Sequence, residues 1–199
     1  MAQYKKDEVK DRIDMAALSV FARKGYLSAK VSDISAEAGV SVGNIYRYYA
    51  NKEDIFYSLI PEDFPVKFQA VIARKIASAQ NSRDSRAIDD MADAFIGFMF
   101  DYRQKITILF SGSQGTRYAS VGSDFAAALL SLVRGLYPEK YAAYITRYGD
   151  DSVLALIYQN LIRIYGHLLG SPYGEEELIH RMRQVNLYHF SGIMGLLDV

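Results

Sequence analysis

The chain has 199 residues, half of them apolar, enough for one medium domain or a small domain joined to a larger one. Lysine and arginine equal aspartate and glutamate at 23 each, so bulk charge points to no polyanionic partner, and the absence of cysteine excludes disulfides, thiolate metal sites and cysteine nucleophiles. Charge is nevertheless uneven: residues 1–52 hold nine basic and six acidic side chains, which suggests an anion-facing N-terminal end.

The first segment, "MAQYKKDEVKDRID", is polar and lacks the apolar core of a secretion signal. Val9, Ile13, Ala16, Ala17, Val20 and Phe21 recur at helical spacing and predict a helix over 9–24, ended by Gly25 in a left-handed conformation. A short helix fits 31–38, with Val31, Ile34 and Ala38 on one side. Gly39 stops it, and Val40 plugs the corner. Ser41 is placed to cap the next helix, whose apolar positions are Ile45 and Tyr49. Asn51 opens a fourth, with Glu53 and Asp54 where the helix dipole favours acids. Pro61 and Pro65 mark the break between an N-terminal unit, 1–57, and a second unit, 58–199. Beyond it the pattern predicts helices at about 66–80, 86–102, 104–112, 122–136, 138–147, 151–169 and 175–196. The fold class is all-α: an N-terminal three-helix helix-turn-helix unit followed by a larger helical domain.

At ~100° per residue, Ile45 and Tyr49 share the core face of the third helix. Gly43, Tyr46 and Arg47 then face outward, with Asn44 at the margin. A glycine there lowers helix propensity but lets the helix approach a surface closely, as in the major groove of DNA. Arg47 and Asn44 suit base edges, and tyrosine hydroxyls suit phosphates. Lys52 sits at a helix N-terminus, electrostatically the wrong end for a cation. A phosphate shared between that terminus and the ammonium would offset the clash, and Lys30 could act similarly.

The stretch "VSDISAEAGVSVGNIYRYYANKEDIF", preceded by "ALSVFARKGY", resembles the signature of the TetR family of bacterial transcriptional regulators over roughly residues 9–57. The carrying features are Asp33–Ile34, Ala38–Gly39–Val40–Ser41, Gly43, Ile45–Tyr46, Tyr49, Asn51–Lys52–Glu53–Asp54, Phe21 and Gly25–Tyr26. The resemblance implies contact with double-stranded DNA through Lys30, Ser32, Ser41, Val42, Gly43, Asn44, Tyr46, Arg47, Tyr48 and Lys52. Ala29–Lys30 stands where the family often has threonines, Ser35 where alanine is frequent, and Val42 where a polar or basic residue is common. These departures bear on the operator sequence. The resemblance also implies a repressor bound to a palindromic operator as a homodimer, and released by a small-molecule effector.

In 151–169, Val153, Leu156, Ile157, Leu161, Ile164 and Leu168 form one apolar stripe, and Leu154, Ala155, Tyr158, Ile162 and Tyr165 cover much of the rest. Such a helix is either central to its own subunit or shared between core and partner, and the resemblance implies pairing through the last two helices, here 151–169 and 175–196. Candidate effector-pocket residues are Phe68, Phe95, Phe98, Tyr102, Phe110, Phe125, Tyr158 and Asn160, lining a site for an apolar or aromatic molecule; Arg103, Asp124 and His167 are further polar candidates. Ordinary core packing is the alternative for each aromatic residue. "SGSQGTRYASVG" is small and polar enough to form a mobile lid. His167, His180 and His189 lack metalloprotease spacing, and no phosphate-binding loop, nucleophile elbow or dinucleotide fingerprint appears, so neither enzyme, metal nor cofactor is expected. No apolar run reaches the ~20 residues of a membrane span, which points to a cytoplasmic protein. The rival reading is a helical protein with a non-regulatory role, an interaction module or, ranked after it, an enzyme, with a vestigial DNA face.

Overall fold

The computed structural model describes residues 2–71 and 97–198, with backbone alone for residues 2–5. Every regular element within them is helical. Helix α1 (Ala2–Ser28) begins earlier than the apolar period requires, because its first turns are polar. Lys10 pairs with Asp14 at 2.7 Å, and the Tyr48 hydroxyl donates to the Lys6 carbonyl at 3.2 Å. Gly25 breaks α1 at φ 71° and ψ 160°, a conformation essentially closed to side-chain-bearing residues.

Helix α2 (Val31–Ala38) ends on Gly39, left-handed at φ 64°. Helix α3 (Val42–Ile45) is a single turn, continued as looser turns through Tyr48. Helix α4 (Lys52–Leu59) starts with a reciprocal cap. Asn51 Oδ1 accepts the Asp54 N–H at 2.8 Å, and the Asp54 carboxylate accepts the Ala50 N–H at 2.9 Å. Helical residues 63–71 (α5) and 97–101 (α6) border the undescribed stretch. Helix α7 (Arg103–Thr107) passes directly into a π-helical turn, Ile108–Gly112. Then follow α8 (Val121–Leu136), α9 (Pro138–Tyr148), α10 (Ser152–Gly170) and α11 (Glu175–Leu197).

Two buried clusters organise these helices. One gathers Ile13, Val20, Phe21, Ile34, Ile45, Tyr49, Ile55 and Phe56, and it also takes in Ile60, Ile108, Leu109 and Tyr118. The other surrounds α10, which packs on α8, α7, the π-turn and α11. The π-turn therefore feeds side chains into the first cluster while its neighbour Ile106 belongs to the second.

Three sequence expectations are resolved here. The buried stripe of α10 is Leu154, Tyr158, Leu161, Ile162, Tyr165 and Leu169, most of them from the set expected to cover the rest of the helix, whereas Val153 and Leu156 of the first stripe are exposed. A helix apolar nearly all round offers two faces, and periodicity alone does not say which one meets the rest of the subunit. The segment read as a lid is anchored instead: the Tyr118 hydroxyl donates to the Ile60 carbonyl at 3.0 Å, Ser113 is buried with its hydroxyl on the Leu109 and Tyr118 carbonyls, and the Arg117 guanidinium lies 4.0 Å from the Tyr57 ring centre. Its one large aromatic residue, Tyr118, supplies the anchor. The helix expected at 104–112 exists only as α7 with its π-turn.

Gly112 is where the two clusters meet. A Cβ there would lie 3.2 Å from the Phe21 carbonyl oxygen and 3.3 Å from Gly25 Cα, with backbone on both sides. Gly112→Ala is expected to destabilise the fold by about 1–3 kcal/mol in chemical denaturation. Gly135→Ala, on α8 with open space around its added Cβ, should instead be neutral or stabilising. Equal effects at both positions would deny the close contact its role.

His189 gives a pH prediction. Its Nε2 is buried without a hydrogen-bond partner among the described residues, its ring meets Tyr158 edge-on at 4.7 Å, and burial pushes its pKa below the ordinary 6.5. At higher pH the imidazole is neutral in both folded and unfolded chains. As pH falls through 6.5, the unfolded chain takes up the proton first, so stability is lost toward acid until the lower folded pKa is reached. His189→Phe should shrink the drop in melting temperature between about pH 7.5 and about pH 5.5. An undiminished drop would assign the acid sensitivity to other groups.

Candidate nucleic-acid interface and junction cavity

The helix-turn-helix is held from behind by α1. Arg12 donates to the carbonyls of Ala38 and, at 3.2 Å, Gly39, the C-terminal end of α2 where carbonyls lack helical partners. Arg23 pairs with Glu37 at 2.7 Å and Lys24 with Asp33 at 2.8 Å, fixing α2 along the opposite edge of α1. The other Asp33 oxygen accepts the Lys30 backbone N–H at 3.0 Å and so closes the start of α2. Ser35 donates to the Val40 carbonyl across the turn, and Ser41 Oγ accepts the Asn44 N–H at 3.2 Å to start α3. Ile45 and Tyr49 are buried as the helical phase requires, and the Tyr49 hydroxyl donates to the Asp14 carboxylate.

The outward face that remains is bare. A Cβ on Gly43 would meet nothing within 4 Å, Tyr46 is 51% exposed, and Arg47 is exposed with no described partner for its guanidinium. Lys30, Ser32 and Ser41 are exposed beside it, and Val42 and Asn44 are half-buried at its margin. Tyr48 differs from its neighbour, since its hydroxyl is engaged by Lys6.

Lys52 needs a correction to the argument made from sequence. Its ammonium donates to the carbonyls of Tyr26 at 2.7 Å and Ala29 at 3.0 Å, and lies 4.3 Å from the Tyr26 ring centre. Burial lowers its pKa. The unfavourable position at a helix N-terminus is offset by carbonyl oxygens from the end of α1, so no phosphate is required to explain it. Sequence reasoning missed these partners, and likewise those of Arg12, Arg23 and Lys24, because the contacts join residues on different helices. Only an excess of cations marked the region.

The aromatic residues proposed for an effector pocket are partly brought together. Phe68 meets Phe98, Phe110 and Phe125 with ring centres 5.6–6.3 Å apart, and Phe98 meets Tyr102 at 5.0 Å. These rings fill space against each other. Tyr158 stands apart, against His189, and Phe95 lies outside the described residues. Asn160 is exposed, because it shares the helical phase of Leu156. A cavity of about 630 Å³ opens elsewhere, at the junction of α1, α7 and α10, bordered by Arg23, Arg103, Thr107, Arg163 and His167. Gly166 and Gly170 let α10 come close to α7 there: added Cβ atoms would reach Ser111 Oγ at 2.3 Å and Thr107 Cγ2 at 3.2 Å. A second cavity, of about 440 Å³, shares Ser111 and Arg163 with it. Among the described residues no cluster of His, Asp and Glu is arranged to hold a metal, and no helix is long and apolar enough to cross a membrane.

Comparison with known proteins agrees with the geometry of the N-terminal unit. Residues 15–59 match the model of the bacterial regulatory proteins, tetR family. The fatty acid metabolism regulator protein of Bacillus subtilis (strain 168) is 51% identical over 47 residues, which span 24% of each chain, so the match covers about a quarter of that relative's length. The negative regulator of the biofilm operon icaADBC, IcaR, from Staphylococcus epidermidis is 26% identical over 156 residues, 78% of this chain and 77% of that one. Among solved structures, a TetR-like transcriptional regulator from Rhodococcus sp. RHA1 aligns over 94% of this chain and 96% of its own, with 19% identity and a TM-score of 0.49. The matched segment coincides with the capped helix-turn-helix and the helices that hold it, and over that segment the chain is similar to the bacterial regulatory proteins of the tetR family.

Proposed function

We propose that this protein is a cytoplasmic, non-enzymatic repressor of transcription that binds a palindromic operator as a homodimer and is released by a small-molecule effector. The observation that carries the reading is the face of α3. Gly43, Tyr46 and Arg47 point outward without internal partners, on a turn that five long-range contacts hold rigid from behind. Base reading falls to Arg47 and Asn44, with Val42 offering a methyl contact to thymine. Phosphate contact falls to Lys30, Ser32, Ser41 and Tyr46. The repressive sign follows the relative from Staphylococcus epidermidis, a negative regulator similar over most of both chains. The Bacillus relative is matched over a quarter of its length, so its metabolic assignment is not carried over.

The dimer is supported by exposed apolar side chains on both proposed helices. Val153 and Leu156 on α10 are exposed, and on α11 Leu187 is 69% and Tyr188 79% exposed, with Phe190 beside them. Gly192 and Gly195 add open backbone on α11. Exposed apolar side chains on two helices that pack together support a surface for association. A two-fold dimer would set its α3 helices about one DNA turn, ~34–36 Å, apart, or farther in an open form. The effector must prefer the conformation that does not bind DNA, since equal affinity for both conformations shifts nothing.

Selection of operators from genomic DNA fragments, followed by binding titrations at several salt concentrations, tests the reading. Specific recovery of a palindrome is expected, and recovery of none would leave an interaction module as the better description. Arg47→Ala should relax preference at particular base pairs by about 1–3 kcal/mol each, measured on a panel of single-base operator variants. A uniform loss across the panel would contradict base reading. Lys52→Met should lower the melting temperature and leave the salt slope unchanged. A slope flattened by about one unit would return Lys52 to the phosphate contacts.

A further inference from the structure

We infer that the junction cavity between α1, α7 and α10 is a binding site for a small organic anion, a carboxylate or a phosphate ester. Its walls carry three guanidinium groups, Arg23, Arg103 and Arg163, together with the His167 imidazole, and no carboxylate among the described residues that border it. Arg103 is oriented by donating to the Tyr173 carbonyl at 3.0 Å, and Arg23 by its pair with Glu37. Arg163 has no described partner. Arg23 is compensated by Glu37, whereas Arg103 and Arg163 have no carboxylate partner among the described residues, so the concavity keeps a positive potential that favours a counter-charge.

A second observation points to the same ligand. Thr107 lines this cavity and is 4% exposed, and its buried Oγ1 has no hydrogen-bond partner among the described residues. A buried hydroxyl left unsatisfied costs about 1–3 kcal/mol. An anion oxygen seated among the three arginines would accept its proton. Ser111 offers a further donor on the walls, while Ser19 is engaged by Arg23 and Glu37, and Ala22, Leu169 and Pro172 leave room for a short apolar portion.

The three cations come from three helices of different allegiance. Arg23 is on α1 and also holds the helix-turn-helix through Glu37. Arg103 lies on α7, one turn before the π-turn, and Arg163 is on α10. An anion drawn to all three ties the support of the DNA-reading unit to the helices of the second domain. This consequence for DNA rests on the regulator reading, whereas the site itself does not.

Isothermal titration calorimetry of the full chain with inorganic phosphate and with butyrate, using butyramide as a neutral control, tests the site. Saturable binding of at least one anion to a single site per chain is expected, and the anion that binds identifies the ester or the carboxylate class. Arg163→Gln and Thr107→Val should each weaken it about tenfold, as the loss of one charge-assisted or buried hydrogen bond would. Arg47→Gln should leave it intact. No saturable binding of either anion, equal binding of butyramide, binding unchanged in both cavity variants, or binding abolished by Arg47→Gln would each overturn the assignment. Fluorescence anisotropy on the selected operator is read separately: a protein that binds the anion but no DNA refutes the regulator reading alone.

Discussion

The contact between the π-turn and α1 is the constraint on which the arrangement depends. Gly112 meets Gly25 and the Phe21 carbonyl at backbone distance, and both glycines must lack side chains for this to happen, one for space and one for its dihedral angles. A π-turn widens the helix locally and shifts the phase of the residues after it. Ile108 and Leu109 are thereby delivered into the core of the N-terminal unit, while Ile106 stays in the other. The helix-turn-helix unit is thus closed by residues from far along the chain. A change in the second domain that moves α7 reaches α1 through packed backbone, with no flexible linker between them.

The charges follow from this scaffold. Most of the N-terminal cations are used internally: Lys10 on Asp14, Arg12 and Lys52 on helix-end carbonyls, Arg23 on Glu37 and Lys24 on Asp33. These exposed or half-exposed pairs contribute little stability individually. Their effect is geometric, because they set the angle of α2 and α3 against α1. Arg47 keeps its charge free of a described partner beside the open Gly43, and Lys30 is exposed near Asp33. A neutral protein can therefore present a cationic edge by compensating its other cations within the fold.

The same division separates what could be read from the chain from what could not. Ile45 and Tyr49 against Gly43, Tyr46 and Arg47 follow from helical phase alone, and the caps at Ser41 and Asn51 from the short reach of their side chains. Lys52 shows the limit. Its position at a helix start was legible, but its partners, Tyr26 and Ala29, lie more than twenty residues away, and nothing local indicates that carbonyls there would be left unpaired. The buried side of α10 was ambiguous for the related reason that both of its sides are apolar.

The sequence by itself determined the helical class, the helix-turn-helix with its outward face, and the family resemblance. Those features rest on residues within a few positions of one another, where propensity, capping and phase act. Only the tertiary structure decided the packing of the candidate pocket aromatics against each other, the anchoring of residues 113–121 through Tyr118, and the junction cavity with its three arginines. Those depend on how α1, α7 and α10 cross, and the crossing is set by long-range contacts such as Gly112 on Gly25 and Gly166 on Ser111. Periodicity within any one helix does not encode them.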